Sequence, residues 1–193
     1  MSAFNAVSSE VFDNLQLEAG VLLNSFDPDS PVAPTDSTII CATTGGVNPT
    51  CVPTYTDYGE DIDNVPNNTK ELARITGWEC KLAFTALDVT EDTIKMALGA
   101  ADVTAATSST AASIIPRKDV ADADFQNIWW VGDIADGGLV AIKLVNAIST
   151  GGFNLQTTKA GKGQLTVELT GFVSIDDTSE IPMEFYIGEA PSA

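Results

Sequence analysis

Three pairs of alternate acids, Asp27/Asp29, Asp61/Asp63 and Asp122/Asp124, are the first residues in this sequence whose type and spacing suit chemistry. Alternate carboxylates in a loop supply the hard oxygen ligands that calcium takes, but none of these pairs continues into the glycine and distal glutamate of an EF-hand loop. With 27 Asp and Glu among 193 residues such pairs arise by chance, so they read as solvated loop carboxylates and no metal site is expected. Acid-base chemistry has little to draw on, because the chain has no histidine, the usual proton shuttle near neutral pH and the commonest metal ligand. No nucleophile elbow, Walker loop or dinucleotide fingerprint is present, and Gly161-Lys162-Gly163 reads as a hairpin turn rather than a phosphate cradle. The chain is therefore expected to have no catalytic residues and no cofactor, carboxylate-only catalysis being the one enzymatic route left open.

The soft and aromatic side chains carry alternatives. Cys41, Cys51 and Cys80 are an odd number without CxxC spacing, which argues against zinc and for a reducing compartment. Cys41 and Cys51 can be bridged only if their Cα atoms come within ~7 Å, and free thiols are the favoured reading. Trp78, Trp129 and Trp130 suit either a carbohydrate platform or core and subunit contacts, the second being favoured. Trp129 and Trp130 cannot both face inward on one regular strand, which points one of them at a neighbouring molecule. Asn67-Asn68-Thr69 matches a glycosylation acceptor, but with no secretory signal in Met1 to Phe12 it reads as a turn.

The elements that must position these residues are mostly strands. The composition, 44% hydrophobic and 19% charged, is that of a globular chain, and 193 residues fit one domain, 1–193, able to bury ~70% of its unfolded surface. A formal charge of −18 repels phosphate backbones and anionic lipid, and no stretch reaches the ~18 apolar residues of a membrane span. Val11 to Phe26 reads as strand around Gly20. Trp78, Cys80, Leu82, Phe84 and Ala86 alternate with polar residues at the period of a half-buried strand. Gln126 to Val131, Gly138 to Ser149, Gln164 to Val173 and Ile181 to Ile187 are further strands, the last with Met183, Phe185 and Ile187 on one face, followed by a small polar tail from 188 to 193. A short helix follows either Asp88 as N-cap with Glu91, or Thr90 as N-cap with Val89 stapled on Ile94; Ile94, Ala97 and Leu98 mark its inner face and Gly99 its end. Ala100 to Ser113 reads as loop, and Ile114-Ile115-Pro116 as no more than an edge strand.

One segment stands apart. Between Asp27 and Lys70 lie Pro28, Pro31, Pro34, Pro49, Pro53 and Pro66, six of the nine prolines, with Gly45, Gly46 and many Asp, Asn and Thr. Only Thr38 to Ala42 looks like strand there, so 27–70 is expected to be a long extended loop, an interaction arm. The expected fold is mainly β, an antiparallel sandwich or barrel-like domain with one short flanking α-helix.

Taken in order, Gly20-Val21-Leu22-Leu23 with Phe26-Asp27-Pro28, then Thr76 to Phe84, the helix ending Ala97-Leu98-Gly99, and Gly161-Lys162-Gly163 running into Gln164 to Phe172, resemble the major tail tube proteins of long-tailed siphophages over nearly the whole chain. The resemblance implies six subunits closing a ring by joining their sheets around a channel, rings stacking into a tube, and the 27–70 arm reaching the adjacent ring. On it, Phe26, Pro28, Pro34, Tyr55, Tyr58 and Trp129 are the expected inter-subunit and inter-ring contacts. It also implies a tape measure protein and tail-end proteins as partners, DNA passing through without specific binding, synthesis in the host cytoplasm and a place in the virion.

The charge gives that reading a physical expectation. DNA carries one negative charge per ~1.7 Å of axis, so a basic lumen would hold it and an acidic one would let it slide. Net charge assigns no particular residue to the channel wall. Two other readings remain: a soluble β-sandwich binding module using the tryptophans, and the tube protein of a contractile or secretion-type injection system, marked by an outer sheath partner.

Overall fold

The computed structural model describes residues 8 and 10–189, so the expectations placed on 1–7, 9 and 190–193 lie outside it. A four-residue helix α1 (Glu10–Asp13) precedes β1 (Gln16–Leu23), then come β2 (Thr43–Asp57), β3 (Ala73–Ala86), helix α2 (Glu91–Leu98), β4 (Ala101–Thr104), β5 (Ser113–Pro116), β6 (Gln126–Ile134), β7 (Gly138–Ser149), β8 (Asn154–Gln156), β9 (Gln164–Gly171) and β10 (Met183–Glu189). Eight strands make one antiparallel sheet in the order β1-β6-β7-β9-β3-β2, with β10 beside β7 and β8 beside β9; β4 and β5 form a separate hairpin. The fold is mainly β, as the sequence predicts.

β7 is the hinge of the sheet. Its Gly138–Leu144 half lies between β6 and β10, while Ala147–Ser149 pairs β9. At the change-over Asn146 has φ 47° and stands in a register shift opposite Asn127, whose side chain accepts the Asn146 amide at 3.1 Å. A bulge of this kind bends the strand. The two halves of the sheet thereby wrap one core, in which Leu22, Ile128, Trp130 and Leu144 meet Cys80, Leu82, Phe84, Val167 and Leu169, with Ala97 of α2 packed against them. A smaller cluster covers the opposite face of β1, β6, β7 and β10: Leu23, Trp129, Leu139 and Ala141, with Phe26 and Tyr186 against them.

This second cluster corrects the tryptophan expectation. Trp129 and Trp130 do point to opposite faces, yet both are only 7% exposed because the sheet is covered on both sides here. Trp130 donates to the Ala19 carbonyl at 3.0 Å, and Gly20 beneath it has φ 68° with no room for a Cβ, which would lie 2.6 Å from the indole nitrogen and from the Val131 carbonyl.

The segment 27–70 is also corrected: most of its middle is β2, fifteen residues paired with β3 from Thr43↔Ala86 to Asp57↔Ala73. Thr38 to Ala42 is not a strand but contributes an isolated bridge, Leu23↔Ile39. Prolines sit in β2 because it is an end strand of the sheet and because Pro49 and Pro53 are four apart, on the same edge. Gly45 and Gly46, with φ 77° and 81°, form the bulge between Thr44 and Val47.

Smaller differences have local causes. Asp13 closes α1, so the strand expected from Val11 begins only at Gln16. Ala100 to Ser113 contains β4 and the first residue of β5, and Gly188 and Glu189 belong to β10 rather than to a tail. α2 takes the Thr90 N-cap, its hydroxyl accepting the Thr93 amide at 3.2 Å while Thr93 Oγ1 accepts the Thr90 amide at 2.8 Å. Those bonds, and one donated to the Asp88 carbonyl, let Thr93 be buried beside Ala97, so the inner face is turned from the Ile94 and Leu98 expected.

Candidate assembly surface

The strand order leaves several sheet edges without a partner among the described residues, and they differ in how they are protected. On β2, Pro49 and Pro53 oppose Leu82 and Trp78. A residue without an N–H cannot exchange the paired bonds of a hydrogen-bonded site, so positions 49, 51 and 53 turn their backbone groups away from β3. The outer edge of β2 thus lacks two donors in five residues and is a poor template for another strand.

β10 is the opposite case. Among the described residues it pairs only β7, over all seven residues without a register shift, and it contains no proline or lysine. The Val145 amide donates to the Pro182 carbonyl at 3.0 Å, which makes 182/145 a bonded site and fixes the parity of the ladder. Glu184, Tyr186 and Gly188 therefore bond β7, whereas Met183, Phe185, Ile187 and Glu189 turn their N–H and C=O groups outward. Phe185 is 60% and Ile187 82% exposed. This is a straight, apolar, unprotected edge, the kind that adds a strand from another chain.

The inner side of β10 is held in place. Lys143 Nζ donates to Glu184 at 2.9 Å and lies 5.6 Å from the centre of the Trp129 ring, and the Tyr186 hydroxyl donates to the same carboxylate while its ring packs on Trp129 at 5.6 Å. Burial alone raises the Glu184 carboxyl, but the bonds from Tyr186 and Lys143 outweigh it and hold it below the usual range. The same bond, with burial adding to it, pushes Tyr186 up to about 12.

β2 and β3 build a second feature. β9 flanks β3 only from Lys81 onward, so Ala73–Cys80 and the β2 residues opposite form a two-stranded ribbon running to the 58–72 turn. Val52, Tyr55, Tyr58, Ile62, Ile75 and Trp78 are exposed along it.

The six expected contact residues separate accordingly. Tyr55 and Tyr58 lie exposed on the ribbon and its turn. Phe26 is half-buried edge-on against Trp129 at 5.7 Å, so these two serve the subunit's own second cluster. Pro28 is half-buried and Pro34 exposed, the latter beside a cavity of about 400 Å³ between β1 and the 32–34 segment. Sequence reasoning missed the β10 edge as a site, although the apolar alternation Met183, Phe185, Ile187 was its signal.

The remaining chemical candidates are not brought together. Asp27 accepts the Asp29 amide at 3.0 Å in a local turn. Asp124 is held below the usual carboxylate range by the Ala121 amide and, against the cost of burial, by Arg117, whose guanidinium also lies 2.9 Å from Asp102 and ties the β4–β5 hairpin to the 122–124 turn. Among the described residues no group of three His, Cys, Asp or Glu side chains gathers around a common point. Trp78, 36% exposed, has no second exposed tryptophan beside it, so a tryptophan platform for sugars is not built. No helix of the described residues is long and apolar enough to cross a membrane.

No protein-family model matches the chain, and no curated protein matches it. Among solved structures, a chain of one described as "Virion of native gene transfer agent (GTA) particle" is similar over 94% of this chain and 99% of that chain, at 9% identity and a TM-score of 0.43.

Proposed function

We propose that this chain is a virion structural protein, the subunit of a phage-type tail tube, working by self-assembly and not as an enzyme. The observation that carries the reading is the contrast between the unprotected β10 edge and the proline-blocked β2 edge: one open edge is left to pair and another is kept from pairing. Head-to-tail addition of β10 to a different edge of the next subunit is a heterologous contact and closes into a ring when its rotation divides a circle. Six copies is the number implied by the family the sequence resembles. The β2–β3 ribbon, with Tyr55 and Tyr58, would meet the adjacent ring, and as a strand pair ordered within the subunit it loses less entropy on docking than a free loop.

On this reading the tube passes DNA without holding it, which suits a chain of charge −18. A tape measure protein and tail-end proteins are its other partners, and its place is the virion after synthesis in the host cytoplasm. Sedimentation velocity over a concentration series tests self-association: discrete ring-sized and larger species growing with concentration are expected, and a monomer at all concentrations, with and without magnesium, contradicts the reading.

A further inference from the structure

Cys51 of β2 and Cys80 of β3 stand directly opposite each other, with free thiols and sulfurs 3.2 Å apart. The prolines define the kind of site they occupy. Positions 49, 51 and 53 share one parity, and since Pro49 and Pro53 cannot belong to bonded pairs, Cys51–Cys80 is a non-hydrogen-bonded pair. Opposite Cα atoms are closest in such pairs, about 4.5 Å, inside the range of roughly 4.4–6.8 Å that a disulfide spans. A disulfide here needs no backbone movement.

We propose that Cys51 and Cys80 are an oxidisable pair, closed by a low-molecular-weight disulfide of the glutathione class into a cross-strand bond that staples the β2–β3 ribbon at its root. Cys51 is partly exposed and Cys80 fully buried, which sets the order of events. The Cys51 thiolate attacks the reagent, whose S–S bond breaks to release one thiol and leave a mixed disulfide. Cys80 then gives up its proton and attacks Cys51 Sγ; the mixed disulfide breaks, the Cys51–Cys80 bond forms and the second thiol leaves. The protein has lost two electrons and two protons, and the reagent has gained both as two thiols.

Cys41 lies buried in the core cluster on the segment before β2 and has no sulfur neighbour among the described residues. Burial pushes Cys80 up to about 12 and Cys41 to about 11, so closure is slow at neutral pH and accelerates as the solution is made alkaline. The bond encloses the ribbon and its 58–72 turn in one loop. None of this depends on the chain assembling, because both thiols belong to one subunit.

The test is made on the reduced full-length chain, incubated folded with oxidised glutathione at mildly alkaline pH, quenched by alkylation, digested and mapped by mass spectrometry. The expected result is a Cys51–Cys80 linked peptide, an intact mass lower by two hydrogen atoms, and only Cys41 still alkylated. Cys51→Ser abolishes the linkage and Cys41→Ser retains it. Cys51 left as the mixed disulfide with Cys80 alkylated, both thiols left free, or any linkage through Cys41 overturns the proposal.

Discussion

Replacing Ile187 by proline separates the assembly role of β10 from its role in the fold. Position 187 turns its N–H outward, so Ile187→Pro leaves the bonds of Glu184, Tyr186 and Gly188 to β7 in place. An edge strand accepts proline where its N–H faces out, and the subunit's stability should change by no more than about 1 kcal/mol. At an interface the same change deletes one backbone bond, about 0.5–1.5 kcal/mol, and leaves an acceptor on the added strand unsatisfied, about 1–3 kcal/mol. The sum, about 1.5–4.5 kcal/mol per contact, weakens self-association roughly 10- to 2,000-fold. Sedimentation velocity gives the association and calorimetry the subunit's melting temperature. Tyr186→Pro is the contrast: one residue away, it removes a bond to Ala141 together with the ring's contacts to Trp129 and Glu184, and should lower subunit stability clearly more than Ile187→Pro. A folded Ile187→Pro chain that associates like the parent, or equal destabilisation at 186 and 187, refutes the reasoning. Ile187→Lys, which keeps the N–H but sets a charge on the apolar edge, should also lose association.

Gly20→Ala combines a positive φ with a Cβ 2.6 Å from Trp130 and the Val131 carbonyl, and is expected to lower the melting temperature by roughly 5–15 °C, since each kcal/mol shifts a chain of this size by about 2–4 °C. Tyr186 titrates at about 12 instead of its ordinary 10.0, so its contribution to stability is complete below pH 10 and is lost as pH rises toward 12. Glu184 is depressed, so its contribution is present above the ordinary carboxylate range and is lost as pH falls through its folded value. Urea midpoints across pH should therefore fall at both ends, with Tyr186→Phe reducing the alkaline loss; an unchanged alkaline profile in that variant contradicts the assignment. Bringing together subunits of charge −18 concentrates like charge, so association should strengthen with salt or magnesium, as screening shortens toward a Debye length of ~8 Å; weakening as salt rises would reverse the argument.

The core was legible where side chains repeat at the period of the element that carries them. Cys80, Leu82, Phe84 and Ala86 alternate in the sequence and are all buried on one face of β3. Trp129-Trp130 shows the limit of that rule: opposite faces follow from strand geometry, but whether the second face meets solvent, a neighbour or the chain itself depends on Phe26 and Tyr186, more than 50 residues away on either side. β2 was hidden because proline and glycine read as loop, whereas Thr50, Val52, Thr54, Tyr55 and Thr56 carried the strand propensity. Thr93 was hidden because a polar side chain is buried only once its partners, Thr90 and Asp88, are in place. Of the expected contact residues, Tyr55 and Tyr58 lie exposed on the ribbon, while the β10 edge was not anticipated. Its pattern resembles a core strand, and only the strand order reveals that Phe185 and Ile187 have no strand beside them among the described residues.

Negative-stain electron microscopy of the concentrated purified chain, with and without magnesium, tests the central claim most directly. Rings with an open centre, stacking into tubes in the parent and absent in Ile187→Pro, are the predicted result. A uniform field of small particles under every condition, or rings that persist unchanged in Ile187→Pro, would contradict assembly through the β10 edge.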